Sequence, residues 1–166
     1  MDYNFLFELG YYAAVVIITI YIIASICVNG GIPPSISETY YVWKKRNRPF
    51  LFTFVMTAVS FLFLPYWFSV CKEWQTFLPF LSVSGMLFVG GACAFKETLT
   101  RGVHFTSAGI WAASAVTFFA VNQMWLPMLL GVIYGFGSWA VFKFQNLTFW
   151  AEVACVTMMI VGLGML

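Results

Sequence analysis

Ionisable side chains are scarce in this chain, so the few that interrupt its apolar stretches are where chemistry can occur. Glu152 is the foremost of them. It falls about one turn inside the last apolar stretch, roughly 7 Å deep by helical rise. A carboxylate at that depth is costly unless paired, hydrogen-bonded or protonated, and intramembrane ionisable residues are site candidates by default. Thr148 lies one turn before it and Cys155 nearly one turn after, so its face is polar or small. The plain alternative is a carboxylate that reaches interfacial water or pairs with Lys143.

His104 is the only histidine and opens the fourth apolar stretch. Imidazole relays protons near neutral pH. Glu97 is placed to orient it, Arg101 lies one turn before it and Ser107 one turn after. Glu38 completes the group. Glu38, Glu97, Arg101, Ser107, His104 and Glu152 all fall towards one end of the helices that carry them, and they are the candidate ligand-binding set. As an ordinary helix-end residue, His104 would need no such role.

These groups need elements to position them. Apolar stretches recur near residues 9–28, 50–68, 77–95, 105–121, 124–142 and 147–166. A helix needs roughly 20 apolar residues to cross the hydrocarbon core. The chain is 62% hydrophobic and 8% charged over 166 residues, against soluble averages of roughly 45–50% and 25%. Residues 13–18 and 126–132 are apolar on every side, which excludes the alternating strands of an outer-membrane barrel. The expected fold is all-α: one integral membrane domain over 1–166, a six-helix transmembrane bundle. The acidic start, with Asp2 and Glu8, does not read as a cleavable signal peptide.

The one elaborate connection joins spans one and two. Gly30 and Gly31 end the first helix, and Pro33 and Pro34 extend the chain. Ser35 and Glu38 have capping-box spacing, which predicts a short interfacial helix starting near Ile36. It carries Tyr40, Tyr41 and Trp43, then Lys44, Lys45, Arg46 and Arg48 before Pro49. Trp43 and the four cations are expected to contact lipid headgroups, each cation contributing about 1 kcal/mol of attraction to an anionic surface. The same run also serves as a topology signal.

Seven of the eight basic residues fall in loops on one side; only Lys72 falls on the other. The positive-inside rule then places both termini outside the cytoplasm, and the expected location is the bacterial inner membrane. Pro65, Pro79 and Pro127 gather at the opposite ends of the spans. Small residues in spans three and four mark close helix contacts. Gly131 and Gly135 have GxxxG spacing, suited to packing within the monomer or against a second copy or a membrane partner.

Several classes are excluded. The short-loop pattern invites comparison with the alkaline ceramidase and adiponectin-receptor hydrolases, which carry three zinc-binding histidines, a serine and an aspartate. One histidine, and Asp2 as the only aspartate, cannot supply that set. HExxH, GxSxG and phosphate-loop motifs are absent. Cys27, Cys71, Cys93 and Cys155 have no metal-motif spacing. No metal, cofactor or nucleic acid is expected, and membrane lipids are the expected partners. The reading is a multi-pass protein that binds or translocates a small or lipidic ligand through a cytoplasm-facing polar pocket. The alternatives are a membrane enzyme with His104 as base, and a structural or accessory subunit.

Overall fold

The computed structural model describes residues 3–93, 98–142 and 145–166, and within them the chain is helical with no strand. The helices are α1 (Tyr3–Asn29), α2 (Thr39–Lys44), α3 (Leu51–Val70), α4 (Phe77–Gly91), α5 (Thr98–Val121), α6 (Trp125–Val141) and α7 (Leu147–Gly164), with a 3-10 turn at Glu73–Gln75. Asp2, Lys96, Glu97 and Lys143 lie outside the described residues.

Four of the helices, α1, α3, α5 and α7, are long and apolar enough to cross a membrane; α6 is apolar but shorter. The rise of a helix explains the distinction. The 15 residues of α4 and 17 of α6 reach about 22 and 25 Å, short of the roughly 30 Å hydrocarbon core. The six-crossing expectation is therefore met by four helices on length and composition.

Helix boundaries follow local chemistry. Gly31 N–H donates to the Ile26 carbonyl (3.1 Å) and Gly30 N–H to that of Cys27 (3.2 Å), with Gly30 at φ 73°. This Schellman pattern satisfies carbonyls that a helix end leaves orphaned. Pro79 and Pro127 occupy the first turns of α4 and α6, where a missing N–H costs nothing. Pro65 sits inside α3, which continues to Val70.

Packing distances separate two kinds of contact. A Cβ at Gly85 would meet the Ser107 carbonyl and Trp111 nitrogen at 2.7 Å, so α4 lies directly against α5. Gly131 and Gly135 press likewise on α7, where a Cβ would meet the Ala154 carbonyl at 2.8 Å and the Ala154 Cβ at 2.6 Å. Of the two uses expected for the Gly131/Gly135 face, packing within the chain is thus the one it serves here. By contrast, α7 meets α1, α3 and α5 through large side chains. Tyr11 donates to the Ile160 carbonyl (2.7 Å), Tyr66 to that of Leu163 (3.2 Å), and the Trp111 indole to Met159 sulfur (2.8 Å). Bulky bridges hold backbones apart and leave space between them.

That space is the centre of the bundle. Phe52, Met56, Val59 and Phe63 of α3 face Met86 and Val89 of α4, Trp111 of α5, and Val156 and Met159 of α7 around it. The small-residue spans α4 and α5, whose close contact was expected, form one tight wall of this chamber. Helix α6 contributes nothing to the lining among the described residues and shows apolar side chains outward, including Leu129, Ile133 and Phe136.

Candidate functional site

The segment between α1 and α2, together with the first turn of α2, turns into the bundle. Pro33, Ser35, Ile36, Ser37, Thr39 and Tyr40 are all buried. Its prolines hold the backbone extended, and its free carbonyls meet the start of α7. Phe149 N–H donates to the Pro34 carbonyl (3.1 Å), and the Asn146 side-chain amide to that of Ile32 (2.9 Å). Phe149 lies in the first turn of α7, whose N–H groups have no partner within the helix. The loop supplies one.

Ser35 Oγ accepts from Glu38 N–H (2.9 Å), as the capping-box spacing predicted. The helix begins later than expected, at Thr39 instead of Ile36. Between them the chain makes i to i−3 bonds, from Thr39 to Ile36 and from Tyr40 to Ser37. The reason lies across the bundle: the Ile36 N–H donates to the Glu152 carboxylate, as does the Ser37 hydroxyl at 2.9 Å. Thr39 and Trp43 fasten the rest of the segment to α1. Tyr21 meets Thr39 Oγ1, and the Trp43 indole donates to Ser25 Oγ (2.9 Å).

On α7 the positions 148, 152, 156 and 159 recur at helical spacing and form one stripe. Thr148 and Glu152 face a mouth of about 220 Å³ at the end of the bundle near the basic run. Glu152, Val156 and Met159 face the apolar chamber behind it, about 20 Å³ in volume. Such a space has room for about one water, which would find few polar partners. Ser37 and Glu152 belong to both linings and form the partition between them.

His104 completes the partition from α5. Its Nε2 lies 3.1 Å from Ser37 Oγ, and the ring is 3% exposed. Ser37 has one hydroxyl hydrogen. When Ser37 donates it to a Glu152 carboxylate, the contact with His104 is made only by the tautomer that carries hydrogen on Nε2. The three side chains then form a directed chain, imidazole to hydroxyl to carboxylate. This differs from a nucleophile triad, in which the carboxylate holds the imidazole and the imidazole receives the serine proton. Among the described residues, no three His, Cys, Asp or Glu side chains group so as to hold a metal ion.

Of the expected set, Glu152, His104 and Glu38 share the mouth. Arg101 does not. It lies one turn nearer the helix end, exposed, with its guanidinium 5.8 Å from the Phe105 ring centre, because a long charged side chain extends towards water. Ser107 also lines neither space: it is buried on the α4–α5 seam, its carbonyl against Gly85. Glu97 lies outside the described residues. Lys44, Lys45, Arg46 and Arg48 are exposed, with Lys44 over the Tyr40 ring at 5.8 Å. Trp43, expected at the headgroups, is half-buried and turns its N–H to Ser25.

Ser37 is the residue that sequence reasoning missed. Ile32 before the two prolines and Ile36 between the two serines were the available signal, since a loop carrying bulky aliphatic residues is built to be buried. No protein-family model, curated protein or solved structure matches this chain. Fold and site define an all-helical chain with several apolar, membrane-compatible helices and a polar partition near one end.

Proposed function

We propose that this protein is a six-pass membrane protein, both termini outside the cytoplasm, that binds or translocates a small lipidic ligand through the mouth at its basic end. One observation carries the reading: Glu152, Ser37 and His104 stand together between a polar mouth and an apolar chamber. The mouth suits a polar head, and the chamber, with room for about one water, marks the apolar side towards which a hydrocarbon part would extend. Helices α4 and α6 would cross as shorter spans, accommodated by local thinning of the bilayer. The exposed run from Lys44 to Arg48 supports a cytoplasmic, anionic-lipid-facing position for this end.

Binding is favoured over catalysis by the position of the carboxylate. Glu152 holds the serine instead of orienting His104, so it competes for the proton that a nucleophilic serine would have to give up. A thermal-unfolding screen tests the proposal, using purified protein and single-chain amphiphiles with cationic, neutral, zwitterionic and anionic heads. A ligand at a hundred times its Kd stabilises the folded state by about 2.7 kcal/mol. At least one head class should raise the midpoint for the natural chain, with a smaller rise for Glu152→Gln. A flat response across all four classes sinks the proposal.

A further inference from the structure

We propose that the ligand is a long-chain amine or amino alcohol, its head in the mouth and its hydrocarbon tail in a lateral groove between α1 and α7. This rests on the binding reading above and names the ligand class.

The head follows from charge. Glu38 and Glu152 line the mouth together with the hydroxyls of Ser35, Ser37 and Thr148. Among the described residues no Lys or Arg lines it; Arg101 stays at the rim against Phe105. His104 lines it as well, in contact with Ser37; the two carboxylates favour an ammonium over a phosphate or carboxylate head, and the hydroxyls can accept from it. The strong contacts available are charge-assisted ones from N⁺–H to carboxylate oxygen.

The tail follows from continuity. A void of about 280 Å³ opens on the flank of the bundle, walled by Thr19, Ile22 and Ile26 of α1 and by Trp150, Val153 and Thr157 of α7. Ile18 and Val156 line both this groove and the central chamber, so these two aliphatic side chains stand between them. At the far end Tyr11 bridges α1 to α7 through the Ile160 carbonyl and closes the gap. Placed in a bilayer, an apolar void facing hydrocarbon is filled by a chain. Because the chamber itself holds about one water, a chain that runs from this groove past Ile18 and Val156 to the partition at Glu152 must displace the side chains of Met56, Met86 and Met159, which are unbranched and adaptable.

The test uses full-length protein in phosphatidylcholine nanodiscs, titrated with 12-bromododecylamine or 12-bromododecanoate. Bromine quenches the fluorescence of Trp150 in the groove and Trp111 in the chamber. The amine should quench saturably and bind at least about tenfold more tightly than the carboxylate, as one charge-assisted hydrogen bond allows. Glu152→Gln should weaken amine binding about tenfold. Filling the groove with Thr19→Phe and Thr157→Phe together should weaken it comparably. Because Glu152 also anchors the loop, Glu38→Gln provides a second variant that leaves the anchor in place, with a several-fold loss expected. Equal affinity for amine and carboxylate overturns the head class while leaving the pocket reading intact. Loss in Glu152→Gln with no change in the groove-filled variant overturns the tail position alone. Absence of saturable quenching by either probe overturns the binding reading as well.

Discussion

Removing the Glu152 side chain should release the inserted loop, and the size of the effect can be worked from its contacts. The carboxylate accepts from the Ile36 N–H and the Ser37 hydroxyl. Hydrogen bonds to charged groups contribute about 1.5–3 kcal/mol each, and a buried donor left unsatisfied costs about 1–3 kcal/mol. In Glu152→Ala, Ser37 can turn to His104, but the Ile36 amide has no replacement acceptor. Release of the carboxylate's own desolvation offsets part of the loss. A net destabilisation of about 2–3 kcal/mol follows. Glu152→Gln keeps one acceptor oxygen and nearly the same shape, so about 1–1.5 kcal/mol is expected. The Glu152–Ser37 pair should show a coupling of about 1 kcal/mol in a double-mutant cycle with Ser37→Ala. Denaturant unfolding in detergent measures the natural chain, both Glu152 variants, Ser37→Ala and the double variant, and hydrogen exchange across residues 30–40 should rise before the rest of the chain. Equal stability of the Ala and Gln variants, with coupling under about 0.3 kcal/mol, would refute the claim that this carboxylate holds the loop.

Three further outcomes are expected. Gly135→Ala should destabilise the α6–α7 contact by about 1–3 kcal/mol, because its Cβ would meet Ala154 Cβ at 2.6 Å; Gly137→Ala meets nothing within 4 Å and should be neutral in the same unfolding assay. Gln75 and Asn122 exchange side-chain hydrogen bonds of 3.2 and 3.3 Å at the far end of the bundle. Their double-mutant cycle should give a coupling of about 0.5–1.5 kcal/mol, and zero coupling would make the pair incidental. Burial pushes the Cys71 thiol up from its ordinary range, so less thiolate is present at neutral pH than for a free cysteine. Maleimide labelling in intact cells should therefore be slow near pH 7 and accelerate as pH rises, from the outside only; labelling confined to the cytoplasmic side would reverse the proposed orientation.

Much of this was legible in the residues themselves. Apolar runs interrupted by glycine, proline and basic clusters identify helices and their ends from local chemistry. Gly30 stopped α1 because a left-handed residue there frees the last carbonyls for the turn, and Pro79 and Pro127 began α4 and α6 for the converse reason. Glu152 and His104 stood out because a polar group in an apolar run needs a partner. The crossing count was less legible: counting apolar residues overestimated α4 and α6, whose hydrogen-bonded helices are shorter than their apolar runs.

What the chain order could not settle is which groups meet. Ser37 and Glu152 are separated by 115 positions, and their 2.9 Å contact exists only because a loop folds into the bundle mouth. Arg101 and Ser107 share a helix with His104, yet one extends to the rim and the other is sealed on the α4–α5 seam by the close approach at Gly85. The chamber has the same origin: glycine contacts draw some helix pairs together, while tyrosine and tryptophan bridges hold α7 away from its other neighbours. Apolar run lengths and charge placement, being local properties, determined the helices and a preferred end. Partnership depends on side-chain size and reach across the bundle, and only the tertiary structure decided it.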